Sequence, residues 1–435
     1  MEDGSLVADI GHDAVEVEVD AAAAGELALR RVRVAALVTN LSNLAFGYDV
    51  GVMSGALLYL RKPDQLDLGE VEVEVVAALF NVAAALGALC VAGALSEAKG
   101  RRAALLVANA LLFCGFAYQA LARSFWHLAL GRALAGAGSG LSWVAASALL
   151  AELAPTSERG VLTAVADLAI NIGIPLGYGA SLAVIGVAPD DGARWRGMLA
   201  LGALLPVALV ALRGRVPESP RWLLARGRDA EARAILEAYH VQAGPSDTVD
   251  AFVARAKRAA DRGAAVAAAA RPPSAGARSR QGFYVAAAGQ ANGSEGVLYF
   301  VGTVLRDGLG LRRTVPVLLA SLGVGLVKLL GVIVAMAVVE RAGRRPMLTL
   351  SGSALAATLA ALAATVAAGG PVGVVVLLLC LYMFSFSLGA GSFAIVVFFS
   401  RVFNRARRGV NGARRSPRSS SRRTGAVSSS RARSF

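Results

Sequence analysis

The stretch GYDVGVMSG, residues 47–55, lies at the centre of the first long apolar run of this chain, which extends from Ala35 to Tyr59. A helix of that length spans the roughly 30 Å hydrocarbon core of a lipid bilayer. Asp49 lies about midway along the run and is its one charged residue. Because a charge at that depth is unfavourable, such a carboxylate normally faces a protein interior or a water-filled cavity. The pattern therefore predicts a proton-carrying group beside a substrate path or, as the alternative, a structural polar contact between helices.

Nine further apolar runs predict a multi-pass membrane protein. Hydrophobic residues make up 56% of the 435 residues, and the mean hydropathy is +0.58. Without the apolar alternation of a barrel, backbone polar groups in lipid must be satisfied within helices. The predicted spans are 35–59, 71–95, 103–122, 125–150, 161–187, 195–212, 283–305, 315–339, 347–368 and 372–399.

The distribution of Lys and Arg predicts that both termini are cytoplasmic, because short cytoplasmic loops carry an excess of these residues. The loops on the other side are mixed, since Arg61 and Lys62 are followed by three acids, or uncharged, as at 369–371. The basic loops contain Arg30, Arg31, Arg33, Lys99, Arg101, Arg102, Arg341, Arg344 and Arg345.

The net charge of +14 is concentrated in one segment. Residues 401–435 hold eleven arginines and no acid, so the rest of the chain carries +3, and nucleic-acid binding by the body of the protein is not expected. Cys90, Cys114 and Cys380 lie within apolar runs and are predicted to be buried free thiols. No metal-ligand cluster, nucleophile–base set or phosphate loop is apparent, so neither an enzyme nor a cofactor is expected.

Five segments are predicted: an acidic cytoplasmic N-terminus (1–34), a six-helix bundle (35–212), a cytoplasmic linker with short helices (213–281), a partial bundle of about four helices (282–400) and a disordered Ser/Arg-rich tail (401–435). The turns GALSEAKGRR (93–102) and VVERAGRR (338–345) form a weak internal repeat of an acid, a glycine and two arginines. Repeated six-helix halves are the architecture of a large class of transporters.

Several motifs together carry a resemblance to the major facilitator superfamily, in its sugar porter branch, over about residues 30–400. They are GYDVGVMSGA (47–56), the two GRR turns, GRALAGAGSG (131–140), AELAPTSERG (151–160), INIGIPLGY (170–178) and VPESPRWLLARGR (216–228). The chain looks most like the plant polyol/monosaccharide proton symporters. This resemblance implies an all-α major facilitator fold and proton-coupled import of monosaccharides or linear polyols by alternating access. It also implies a monomer in the plasma membrane, with the vacuolar membrane as the alternative.

Within this resemblance, Asp49 matches the proton acceptor and Arg132 its cationic partner. An arginine buried at membrane depth needs a counter-charge, and the alternative is a residue near a helix end that snorkels to the interface. Glycines 136, 138 and 140 are expected to permit close helix approach. The cytoplasmic charge network of the family is matched by Glu97, Arg101, Arg102, Glu152, Arg159, Glu218, Arg221, Glu340, Arg344 and Arg345.

The predicted substrate residues are less regular. Asn171 matches the fifth span. In GQANGSEGVLYF (289–300), Gln290 matches a glutamine of the family pattern, whereas Gly289 replaces the other glutamine, Asn292 replaces the serine and Glu295 replaces the Asn or Asp. Amides and carboxylates suit a ligand rich in hydroxyl groups, although the same side chains can form interhelical hydrogen bonds. Lys328 is expected to pair with an acid such as Glu295.

The sequence departs from the family pattern after residue 388. The tenth span lacks the proline, tryptophan and glutamate of the family, and no apolar run follows Val402, so we expect a truncated or misread C-terminus without the last two helices. The alternative is a genuine cytoplasmic arm that binds anionic lipid or is phosphorylated. Two other functions therefore stay open: a facilitative uniporter with a structural Asp49, and a transport-dead paralogue that acts as a sensor or partner.

Overall fold

A computed structural model describes residues 24–155, 158–239, 248–268 and 293–391. All regular secondary structure in these ranges is helical. By length and composition, eight described helices could cross a membrane: Glu70–Lys99, Arg101–Ala120, Phe125–Leu153, Ala164–Val187, Asp191–Ala211, Thr314–Val339, Pro346–Ala367 and Val372–Gly389. The expected all-α membrane fold is thus confirmed.

The first half of the chain begins with a helix over 24–39 that breaks at Asn40, so the predicted first span, 35–59, is divided between the end of this helix and the helix that follows it. We number the helices of this half α1 (24–39), α2 (Leu41–Leu60), α3 (Glu70–Leu86), α4 (Gly93–Lys99), α5 (Arg101–Ala120), α6 (Phe125–Leu153), α7 (Arg159–Val187), α8 (Asp191–Gly202) and α9 (Leu204–Ala211). A π-helical turn, Gly87–Ala92, joins α3 to α4. The sixth span is divided at Ala203 into α8 and α9.

Helix α2 is the most enclosed element, because all but three of its twenty residues are buried. It packs against α6, α7, α8 and α9. Its polar residues, Asp49 included, are therefore covered by protein rather than by lipid. This explains how a helix that contains polar residues and a carboxylate can lie at membrane depth.

A seam of glycines holds α2 against α7. A Cβ atom added to Gly47 would lie 1.9 Å from the carbonyl oxygen of Ile170, and one added to Gly51 would lie 2.1 Å from that of Ile174. From the other helix, a Cβ on Gly177 would lie 2.4 Å from the Tyr48 carbonyl oxygen. Residues of a helix are about 100° apart, so Asp49 projects from the side of α2 opposite this seam, towards α6.

Helix α6 meets its neighbours in the same way. A Cβ on Gly140 would lie 1.8 Å from the Ala84 carbonyl oxygen of α3, and one on Gly138 would lie 2.6 Å from the Ala108 carbonyl oxygen of α5. A Cβ on Gly136 would lie 2.2 Å from the Phe80 carbonyl oxygen. The expectation that these three glycines permit close helix approach is confirmed.

The polar segment between the halves contains three helices, α10 (Pro220–Ala225), α11 (Asp229–Tyr239) and α12 (Val249–Ala268). Leu223, Leu236 and Val253 form part of their common core. Helix α12 carries an apolar stripe, because Val249, Phe252, Val253 and Ala256 have helical spacing and pack in this core.

The described part of the second half has four helices: α13 (Ser294–Thr303), α14 (Thr314–Ala342), α15 (Arg344–Ala367) and α16 (Val372–Phe386). A π-helical turn, Val304–Gly308, ends α13, and another, Ser387–Gly391, ends α16. Helix α14 packs against α7 of the first half and against α16. The predicted tail, most of the departure from the family pattern and the region of the expected truncation lie outside the described residues.

The prediction of buried thiols was wrong. Cys90 and Cys114 are exposed on the outside of the bundle, and Cys380 is half-buried; all three are free. A thiol behaves as a small hydrophobic group, so an apolar run gives no signal that distinguishes a cysteine facing other helices from one facing lipid.

Candidate functional site

The bundle has two ends, which we name by residues. The Arg101 end carries the turns at Gly100 and Gly343 and the helices α10 to α12, and the Arg61 end carries residues 61–69 and 309–313. Asp49 lies between these ends, near the middle of α2.

Asp49 and Arg132 form an ion pair with no solvent exposure. The Arg132 Nη1 group donates to Asp49 Oδ1 at 2.6 Å and also to Oδ2, and both side chains are 0% exposed. The glycine seam on the other face of α2 turns Asp49 towards α6, where Arg132 lies. The structure therefore joins the two residues that the sequence singled out, and the alternative of a snorkelling arginine is wrong, since Arg132 is buried.

The remaining donors of Arg132 are satisfied by other helices. Its Nε donates to the carbonyl oxygen of Val76 in α3 at 2.9 Å, and Nη2 donates to the Tyr299 hydroxyl in α13 at 3.5 Å. The guanidinium carbon also lies 4.6 Å from the centroid of the Phe80 ring, where the negative ring face favours a cation. Because α13 belongs to the second half, Arg132 contacts both halves of the chain.

Two buried tyrosines, which sequence reasoning did not single out, connect the halves near this pair. Tyr299 is 2% exposed and reaches Arg132, whereas Tyr178 of α7 donates its hydroxyl hydrogen to the Leu298 carbonyl oxygen at 2.7 Å. Tyr178 ends the motif INIGIPLGY (170–178), and Tyr299 lies in GQANGSEGVLYF (289–300). A tyrosine in an apolar run indicates a buried hydroxyl that needs a partner, but the sequence does not say which helix supplies it.

The predicted substrate residues are only partly described. Asn171 is 4% exposed, its Nδ2 donates to the Asp167 carbonyl oxygen at 2.8 Å, and its Oδ1 has no hydrogen-bond partner in the described part of the chain. Glu295 is half-buried in the first turn of α13. Gln290 and Asn292 lie outside the described residues.

Lys328 does not pair with Glu295 in this structure. Its side chain is buried in α14, and its Nζ lies 5.8 Å from the centroid of the Phe386 ring of α16. The expected pairing was wrong because helix positions, not charge alone, decide which groups meet.

At the Arg101 end, Arg101, Glu152 and Glu218 meet. The Arg101 Nη2 group donates to Glu152 Oε1 at 2.9 Å, and Ser219 Oγ donates to Glu152 Oε2. Glu218 accepts from the backbone N–H groups of Arg101, at 2.9 Å, and Arg102, at 3.2 Å. Glu218 thus caps the N-terminus of α5, where an anion is favourable, rather than pairing with an arginine side chain.

The glycine before these arginines is needed for that cap. Gly100 has φ +98°, and a Cβ there would lie 2.3 Å from Glu218 Oε2. The sequence GRR therefore specifies both a left-handed turn and a helix N-terminus open to an acid from elsewhere in the chain.

The other residues of the predicted charge network form no described ion pair, or their side chains lie outside the described residues. The Glu97 side chain is exposed, and its backbone carbonyl accepts from Trp222 Nε1 at 2.9 Å and from Arg226 Nη2 at 2.7 Å. Arg221 is exposed and lies 5.9 Å from the centroid of the Phe252 ring. The side chains of Arg159, Glu340, Arg344 and Arg345 lie outside the described residues. No cluster of three or more potential metal ligands occurs among the described side chains.

Comparison with known proteins agrees with this architecture. The model of the family described as "Sugar (and other) transporter" matches residues 35–410. Polyol transporter 5 of Arabidopsis thaliana is 31% identical over 82% of this chain and 70% of its own length, and putative polyol transporter 1 of the same plant is 32% identical over 82% and 74%.

Solved structures show the same fold. The xylose transporter XylE from E. coli, in a partially occluded inward open conformation, superposes with a TM-score of 0.71 at 24% identity, covering 85% of this chain and 87% of that one. A structure of XylE described as a proton:xylose symporter superposes with a TM-score of 0.70 at 25% identity, over 85% and 82%. The chain is therefore an integral multi-pass membrane protein that belongs to the sugar porter family of the major facilitator superfamily, a family of transporters and not of enzymes.

Proposed function

We propose that this protein transports monosaccharides or linear polyols by alternating access and couples that transport to protons through Asp49. The buried Asp49–Arg132 pair is the observation that carries the proposal. A carboxylate fully removed from solvent at membrane depth is a strong candidate for a proton relay, and its partner here also contacts the second half of the chain.

The proposed coupling follows from the contacts of Arg132. In the described state, Arg132 neutralises Asp49 and also donates to Tyr299 of α13. When the second half rocks away from the first, Tyr299 moves out of hydrogen-bonding distance of Arg132, and the guanidinium loses one of its partners. Rearrangement of Arg132 then exposes Asp49 to water, and a proton replaces the arginine as the group that neutralises the carboxylate. The chemical step is protonation of one Asp49 oxygen and its later reversal on the other side.

Polar groups near the middle of the bundle support a hydroxyl-rich substrate. The unpartnered Oδ1 of Asn171 can accept a hydrogen bond from a hydroxyl group, and the half-buried Glu295 can accept two. Gln290 and Asn292 remain part of this proposed set on sequence grounds. The relatives named as polyol transporters and the symporter of xylose fit the same class of ligand.

The charge network at the Arg101 end holds helices of the first half together on the side that we propose is cytoplasmic. Arg101 joins α5 to α6 through Glu152, and Glu218 joins the same turn to the segment after α9.

We propose that both chain termini lie on this cytoplasmic side. We also propose that the protein is a monomer in the plasma membrane and that its segments have the predicted bounds.

Uptake by purified protein in liposomes tests the proposal. A panel of radiolabelled sorbitol, mannitol, xylitol, xylose and glucose is offered with and without an inward proton gradient. We expect accumulation of at least one member of the panel above its external concentration, abolished by a protonophore and by Asp49→Asn. Asp64→Asn is the matched control, because Asp64 is exposed at the Arg61 end and should leave accumulation unchanged.

The other two functions give different results. Equilibration without accumulation, insensitive to the protonophore and to Asp49→Asn, would identify a uniporter in which Asp49 is structural. No uptake of any ligand, together with co-purification of a full-length relative, would identify a transport-dead partner.

A further inference from the structure

The described hydrogen bonds between the two halves follow one line along α13. From the centre outwards, Tyr178 donates to the Leu298 carbonyl oxygen, and the Gly302 backbone N–H donates to Ser54 Oγ at 3.4 Å. The line ends at the Arg61 end, where Arg306 Nη1 donates to the Leu58 carbonyl oxygen at 2.6 Å. This line closes the Arg61 end, because α2 and α13 lie side by side along it.

An ion pair terminates this line. Arg61 Nη1, just after α2, lies 2.9 Å from Asp307 Oδ2 in the π-helical turn that ends α13. The side chains are 25% and 43% exposed, so the pair is partly screened and can open. Arg306 holds the same carboxylate at 2.8 Å, which fixes Asp307 towards α2.

The two charges belong to opposite halves, which distinguishes this pair from its neighbours. Lys62 and Arg194 both pair with Asp191, and all three residues belong to the first half. At the other end, the pair formed by Arg33 and Glu158 also lies within the first half. A pair that bridges the halves, unlike one within a half, must break each time the Arg61 end opens.

We propose that Arg61 and Asp307 form an ionic latch, an electrostatic gate that holds the Arg61 end of the transporter closed and sets the fraction of molecules open at that end. The latch rests on the proposed alternating-access function, but it acts on the conformational equilibrium and not on substrate or proton binding. The π-helical turn suits this role, because such turns interrupt a helix and often occur at functional sites. When the halves separate, Arg306 remains beside Asp307, so the opened carboxylate keeps a partner.

Distance measurements between the halves test the latch without any substrate. The three native cysteines are replaced by serine, spin labels are attached at Asp64→Cys and Arg312→Cys, and distance distributions are measured by double electron–electron resonance in lipid nanodiscs. Both label positions are exposed, one in each half at the Arg61 end. Arg61→Asp and Asp307→Arg are measured alone and together, and Arg33→Asp is the matched control.

Each single reversal should lower the ratio of short to long distances roughly two- to fivefold, which is the size expected for the loss of a partly exposed ion pair. The double reversal should restore the original ratio, since a carboxylate and a guanidinium would again face each other between the halves, with their positions exchanged. Arg33→Asp should leave it unchanged. Raising the salt concentration to about 1 M, where the screening length is about 3 Å, should shift the unsubstituted protein in the same direction as the single reversals.

Single reversals that leave the distances unchanged, or a double reversal that fails to restore them, would overturn the latch. These outcomes are separate from the failure of the proposed function. Distances that shift and recover in a protein without proton-driven uptake would keep the latch and remove symport, whereas accumulation with unresponsive distances would do the reverse.

Discussion

An aspartate and an arginine enclosed together inside a bundle add little net stability, because removing both charges from water costs about as much as their attraction returns. The Asp49–Arg132 pair has four helices around it and no solvent exposure. The pair therefore contributes to function through the separation of its two partners rather than to stability through their attraction. A double-mutant cycle measures that interaction directly.

We expect Asp49→Asn to lower stability more than Arg132→Gln. The first change leaves a guanidinium that cannot lose its proton in a buried site, whereas the second leaves a carboxylate that can become neutral by binding a proton. Breaking a buried pair costs about 3–5 kcal/mol, and the double variant should be more stable than the sum of the two losses predicts. Thermal unfolding of the purified variants in detergent measures this. Additive losses would show that the two side chains act independently.

The sequence identified the two partners but not their surroundings. A charge in an apolar run is visible without a structure, so both Asp49 and Arg132 were found. Tyr299, Phe80 and the Val76 carbonyl oxygen were not, because their role depends on which faces of α3, α6 and α13 meet. For the same reason, Lys328 was assigned to Glu295 although it lies against Phe386.

At the scale of elements, the seam between α2 and α7 fixes the direction of Asp49. A Cβ on Gly51 would lie 2.1 Å from the Ile174 carbonyl oxygen, and no neighbouring side chain can relieve a backbone contact by rotating. We expect Gly51→Ala to push the helices apart, to lower stability by about 1–3 kcal/mol or more and to reduce accumulation of substrate. Melting temperature and uptake, measured on one preparation, report both effects.

The matched control for that substitution lies in α7. Gly179 has no heavy atom within 4 Å of an added Cβ, so Gly179→Ala should leave uptake unchanged and should not lower stability, since alanine favours a helix over glycine. Equal effects of the two alanines would mean that helix flexibility, rather than close packing, is what the glycines supply.

The cap on α5 gives a second prediction for an element. Glu218 accepts from the first two backbone N–H groups of this helix, which no residue within the helix can satisfy. Glu218→Ala should increase hydrogen exchange in the peptide that covers Arg101 to Ala104. Glu97→Gln, a change at an exposed side chain near the same turn, should not. Unchanged exchange in both variants would assign the protection to burial of the turn instead of to the cap.

Helix existence followed from the sequence better than helix bounds did. Apolar runs found the described crossings, but not the break at Asn40 or the division at Ala203, which depend on packing against neighbouring helices. The short helices of the linker were predicted without bounds, because the alanine-rich composition of α12 obscures its stripe of four apolar residues.

At the scale of the whole molecule, charge is distributed unevenly between the two ends. At the Arg61 end, Arg61 pairs with Asp307 and Lys62 pairs with Asp191. The Arg101 end carries the larger excess, in the turn at 99–102, the helices α10 to α12 and the turn at 341–345. An asymmetry of this kind sets the orientation of multi-pass proteins during insertion.

The orientation is tested by single cysteines at the two ends. Lys99 and Asp64 are both exposed, at the Arg101 end and the Arg61 end respectively. In a background without the native cysteines, a membrane-impermeant maleimide added to intact cells should label Asp64→Cys and spare Lys99→Cys, which should react after the cells are permeabilised. The reason is that the excess of Lys and Arg retains the Arg101 end in the cytoplasm. The reverse pattern would place Arg61 and Asp307 on the cytoplasmic side, where opening of the latch would release substrate into the cell instead of admitting it.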